Sequence, residues 1–248
     1  MPSAVPIRPI PVTTPTPTGG GTSPGGAPGG RNLTSGPDSF TGTAGANLIF
    51  GLGGPDSILG LGGNDSVYGG DGDDSLLGDA GNDLLFGGAG RDSVLGGAGD
   101  DTFYGGKGSD SMLGDVGNDL LFGNQDTDTL LGGAGNDTLF GGAGDDSLFG
   151  GIGDDCLSGD TGRDTLTGGA GNDTFAIGRS ADGDVITDFT DGTDRIRLNA
   201  DLTFGEITRF AGPGTSPSTI IQRISTKETL ATLFGVAPSS ISQADFIF

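Results

Sequence analysis

From Leu33 to Ala176 the chain is one nine-residue phrase repeated sixteen times without an insertion. The unit at 132–140, Gly-Gly-Ala-Gly-Asn-Asp-Thr-Leu-Phe, shows it in full. Strict phase at a short period marks a repeat architecture, in which each unit buries its apolar residue only against its neighbours. With slots numbered one to nine from Gly132, slot six is Asp in fifteen units and Asn47 in the other. The fifteen are Asp38, Asp56, Asp65, Asp74, Asp83, Asp92, Asp101, Asp110, Asp119, Asp128, Asp137, Asp146, Asp155, Asp164 and Asp173. Slot eight is apolar in all sixteen, from Phe40 through Leu76 and Met112 to Phe175. Glycine recurs at slots one, two and four.

Each slot has a physical task. Glycine permits positive φ and close backbone approach, so slots one to six predict a tight turn. The small–apolar–variable remainder predicts a very short strand whose middle side chain points inward. One turn and one strand cannot close a coil, but two units can. The sequence therefore predicts an all-β chain of eighteen-residue coils, stacked into a parallel solenoid with two sheets and the slot-eight side chains between them. Sixteen units make eight coils, roughly 38 Å of stack at about 4.8 Å per coil.

That geometry places the slot-six residues along two edges. Carboxylates about 5 Å apart repel by roughly 1–3 kcal/mol per pair at effective dielectrics between 80 and 20. Such a ladder calls for cations in its gaps. Hard carboxylate and carbonyl oxygens, with no sulfur or imidazole, favour calcium over transition metals. The two edges together offer about fourteen gaps.

Composition agrees. The formal charge is −22, and only Glu206 and Glu228 are glutamates among 33 acidic residues. A preference for the short acid fits carboxylates held in fixed geometry. The charge argues against nucleic acid or an anionic membrane as partner. Histidine is absent, which removes the commonest general base and histidine-ligated zinc. Cys156 is the only cysteine and stands where neighbouring units have Ser or Thr. No stretch has the apolar length of a membrane span.

Three segments follow. Residues 1–32 hold eight of the thirteen prolines and are expected to be a disordered Pro/Gly-rich tail. They contain no continuous apolar export signal. Residues 33–187 carry 26 Asp against four basic residues and form the predicted calcium-binding roll. Residues 188–248 lose the glycine phrase and show apolar strand-like runs, predicting a small β-rich cap. The phase slips by two residues after Ala176, which puts Asp184 in slot six of a last degenerate turn.

The pattern Gly-Gly-x-Gly-x-Asp-x-apolar-x resembles the nonapeptide of the repeats-in-toxin family, the parallel β-roll of haemolysin-type calcium-binding proteins. The resemblance implies calcium between turns two units apart, held by slot-six Asp and turn carbonyls. It assigns metal ligation to the slot-six aspartates from Asp56 to Asp173. Asp188-Phe-Thr-Asp-Gly-Thr-Asp-Arg-Ile-Arg-Leu198 resembles the segment after the last repeat in such proteins. The ending Asp245-Phe-Ile-Phe248 resembles an uncleaved type I secretion signal, although a terminal edge strand would also explain it. The implied protein is secreted, extracellular or at a bacterial cell surface, with the type I secretion machinery as partner.

An EF-hand reading of Asp71-Gly-Asp-Asp74 fails because no glutamate closes the loop. Slot nine alternates. Phe50, Tyr68, Phe86, Tyr104, Phe122 and Phe140 fall on one edge, and Leu59, Leu77, Leu95, Leu113 and Leu131 on the other. The aromatic stripe reads either as packing over thin sheets or as a docking face for a glycan or surface partner. The second makes the chain a calcium-dependent adhesin or surface-layer protein. Residues 78–113 and 114–149 also match at a period of 36, as copying of two whole coils would leave. With about 32 residues before the repeats and no catalytic set after them, the chain is expected not to be an enzyme.

Overall fold

A computed structural model describes residues 30–177, 182–198, 202–213 and 217–247. The expected tail lies largely outside the described residues, as do 178–181 of the degenerate turn and Phe248. The described chain is a parallel β-solenoid of two facing sheets, one of eleven strands and one of twelve. Alternate units feed alternate sheets. Leu48–Gly53, Ser66–Asp71 and Leu84–Ala89 stack in the first. Ser57–Gly62, Ser75–Ala80 and Ser93–Ala98 stack in the second. Partners lie eighteen residues apart, as in Ile49 with Val67 and Ile58 with Leu76.

The core is the slot-eight column. From Ile49 to Phe175 every slot-eight side chain is at most 2 % exposed, and together they form one cluster. Burying each contributes about 1.5–3 kcal/mol, counted as an upper value against an extended chain.

The strands are longer than the sequence predicts. They run six residues, from slot seven through slot three of the next unit. Slots two and three continue the ladder, for example Gly70 with Gly88 and Asp71 with Ala89. Glycine is a poor strand former in isolation. Here an identical backbone lies directly above and below, so the turn amides pair as the strand amides do.

The register changes at the C-terminal end. Thr165 pairs with Val185 and Thr174 with Arg195, spacings of twenty and twenty-one. Thr229–Phe234 then adds in parallel to Asp182–Ile186, followed by antiparallel Ser218–Arg223 and Ile207–Ala211. Phe246–Ile247 pairs with Arg195–Leu198 and ends the other sheet. The β-rich end is thus a prolongation of both sheets. Its only helical turns among the described residues are the 3-10 turns Phe204–Glu206 and Gln243–Asp245. None is long and apolar enough to cross a membrane.

Candidate metal centre

Slot six follows a turn whose shape glycine sets. Slot-four glycines such as Gly72 and Gly90 have φ near +136° and +139°, which a β-carbon disfavours. The turn aims each slot-six side chain into the stack. All fourteen candidate aspartates, Asp56 to Asp173, are at most 3 % exposed.

Their two oxygens differ. Oδ1 accepts the backbone N–H of the slot-six residue one coil earlier, so Asp56 takes that of Asp38 and Asp137 that of Asp119. These bonds run unbroken along both edges at 2.6–3.2 Å. Oδ2 is buried with no hydrogen-bond partner in thirteen of the fourteen, Asp173 being the exception. A buried charged oxygen left unsatisfied costs at least about 1–3 kcal/mol. Thirteen of them in one chain mark a place for positive charge.

The slot-one glycines make room for it. A β-carbon on Gly60 would overlap Asp65 Oδ2 and lie 2.8 Å from the Gly78 carbonyl oxygen of the next coil. On Gly132 it would overlap Asp137 Oδ2 and lie 2.6 Å from Gly150 O. A carboxylate oxygen and a main-chain carbonyl therefore converge on a niche that any larger residue would fill. Among the described residues no three Asp, Glu, Cys or His side chains come together. Further donors to a cation would be backbone carbonyls, a set that suits calcium.

Protonation reflects the burial. Loss of water pushes Asp101, Asp119, Asp128 and Asp155 up to about 7. The same cause takes Asp56, Asp74, Asp92, Asp110, Asp146 and Asp173 to about 6. The N–H donated by the preceding coil opposes the rise, and neighbouring carboxylates add to it.

The glycine-poor turn at 123–128 keeps this geometry. Asn124 and Asp126 adopt φ of +80° and +72°, and Asp128 has the same bare Oδ2 as its neighbours. Asp184 takes slot six as predicted, accepting from Asp164 N–H at 3.2 Å. Asp194 continues the other edge, accepting from Asp173 N–H at 3.0 Å. Sequence reasoning missed Asp194 because its spacing is twenty-one residues.

A second ladder was also missed. Along one edge the slot-five side chains of Asn64, Asn82, Asp100, Asn118, Asn136 and Asp154 accept the N–H of the residue one coil later. It runs opposite in sense to the slot-six ladder, so each turn on that edge is tied in both directions. Its only signal in the sequence is Asn or Asp recurring at slot five of alternate units.

The slot-nine aromatics form a column on the eleven-stranded sheet. Successive rings from Phe50 to Phe140 stack with centroids 4.6–5.1 Å apart and planes within 17°. Each inner ring has both faces covered by its neighbours.

The model for the RTX calcium-binding nonapeptide repeat (4 copies) matches residues 34–67, 50–85, 86–121, 122–156 and 149–183, together more than half of the chain. No curated protein matches it. Among solved structures it is similar to the AlgE6R3 subunit from the Azotobacter vinelandii mannuronan C5-epimerase, determined in solution. The identity is 18%, covering 91% of this chain and 86% of that one, with a TM-score of 0.26.

Proposed function

Because this chain belongs to the RTX calcium-binding nonapeptide-repeat family, we propose that its ladders of bare carboxylate oxygens hold many calcium ions and that the roll folds as they bind. The observation that carries the reading is the set of thirteen buried, unpartnered Oδ2 atoms, each beside a niche kept open by a slot-one glycine. The candidate ligands are the aspartates from Asp56 to Asp173 with adjoining turn carbonyls, about fourteen sites at most. When bound, calcium supplies the positive charge that these oxygens lack. The role is structural and cation-binding, with no catalytic step.

The energetics favour conditional folding. At a free calcium concentration ten times the dissociation constant, each site adds about 1.4 kcal/mol. Over a dozen sites the gain is on the order of 10–20 kcal/mol, comparable with the whole stability of an ordinary domain. Without calcium, the glycine-rich turns gain too little to offset their ordering entropy. A chain of this kind leaves a calcium-poor cytoplasm open, by type I secretion, and folds outside the cell. The aromatic column is best read as packing, since its inner rings offer a glycan only their edges.

Far-ultraviolet circular dichroism with calcium and with excess chelator tests the proposal. A strong β signal is expected in calcium and its loss in chelator, reversed on adding calcium back. Equal β content in both would refute conditional folding.

A further inference from the structure

The N-terminal coil builds the slot-six corner differently from the coils that follow. Asn47 occupies the position of the later aspartates, with Nδ2 3.2 Å from where a β-carbon on Gly42 would lie. That nitrogen donates to the Gly45 carbonyl and, at 2.8 Å, to Asp65 Oδ1. Asn47 Oδ1 accepts from the Thr43 amide at 3.2 Å and the Thr43 hydroxyl at 3.1 Å. The chain thus compares amide and carboxylate at equivalent corners. An amide nitrogen carries two hydrogens into a surround of oxygens, whereas a carboxylate oxygen carries none.

The other edge opens in a related way. Asp38 Oδ2, the counterpart of the bare oxygens, accepts from the Thr34 amide and hydroxyl, both at 2.7 Å. Those bonds hold its carboxyl below the usual range, opposite to the rise at Asp56. Threonine fills slot two in these first two units and in no other. At the far end, Thr190 precedes Asp194 by the same four residues, and its amide donates to Asp194 Oδ2 at 2.7 Å.

We propose that these Thr-x-x-x-Asp and Thr-x-x-x-Asn closures set the ends of the cation ladder. Thr34 with Asp38, and Thr43 with Asn47, satisfy the opening coil from within the protein, so it takes no ion. The Asn47 amide does there what calcium does in the interior. The inference rests on the calcium reading of the interior coils. It explains why the acidic phrase changes in its opening units, where Asn replaces Asp and Thr enters slot two.

Native mass spectrometry of the full chain in calcium chloride tests this by counting bound ions. Asn47→Asp replaces the two donors with a carboxylate oxygen and is expected to raise the count by one. Asp119→Asn makes the reverse change inside the ladder and is expected to lower it by at least one. If Asp119→Asn loses ions but Asn47→Asp keeps the wild-type count, or falls below it through fraying of the first coil, the closure is overturned and the calcium reading stands. If the wild type binds no calcium, both fail.

Discussion

Replacing Gly135 with valine is expected to unfold the centre of the roll, with a loss of at least about 3 kcal/mol, while Gly135→Asp is tolerated far better. Gly135 has φ near +139°, and a β-carbon there would collide with the Gly117 carbonyl oxygen of the preceding coil. Asp126 shows how the fold admits another residue at this slot: φ moves to +72°, inside the left-handed region that Asn and Asp can visit. A β-branched side chain has no such refuge, being a conformational outlier at positive φ. The coils stack in one register, so a displaced turn also parts the Oδ1 bonds on either side of it. Thermal melts of the two variants in calcium, read beside the wild type, measure the difference. A valine variant as stable as the aspartate one would show that the stack bends around a side chain at slot four.

Acid is expected to stand in for calcium. Ten of the buried carboxyls, Asp101, Asp119 and Asp155 among them, sit at about 6 to 7 in the fold, and Asp65, Asp83, Asp137 and Asp164 are raised by the same loss of water, against about 3.9 in an unfolded chain. A carboxyl with the higher value when folded adds stability that is complete below its unfolded value and is lost as pH rises past its folded value. The calcium-free roll is therefore most stable near pH 4 and weakens across pH 4–7. Protonation also removes the repulsion along each edge, the same repulsion that calcium neutralises. In chelator, β content is expected to be low at about pH 8 and to grow several-fold towards about pH 4.5. Calcium binding has the opposite dependence, because protons compete for the same oxygens, and affinity falls as pH drops below about 7. Circular dichroism across this range, with sodium chloride held constant, follows both. A chelated chain that stays equally unordered at low pH would mean that the bare oxygens are not what keeps the roll open.

Much of this was legible in the sequence because the nine-residue period leaves few choices. Slot eight had to point inward, and residues eighteen apart had to meet along two edges. Asp184 could be placed because its slip was only two residues. Asp194 could not, since nothing local announces a spacing of twenty-one. The sequence also identified which carboxylates would gather, but not how. Pairwise repulsion alone overlooks the backbone N–H that each Oδ1 accepts, which steadies half of every carboxylate and isolates the need for a cation at the other half. Strand length was misjudged because glycine's intrinsic preference gives way when an identical turn is stacked on each side. Thr34 and Thr43 look like ordinary turn residues until their hydroxyls are seen on Asp38 and Asn47.

The central claim is that positive ions sit beside the bare oxygens along both edges. Crystals grown in calcium, with anomalous differences collected at long wavelength where calcium scatters anomalously, would locate them directly. The account predicts two rows of peaks beside Oδ2 of Asp56 through Asp164, one row to an edge and one step per coil, with none in the opening coil at Asn47. Peaks confined to the outer surface of the turns, or no peaks along either row in a fully folded chain, would contradict it.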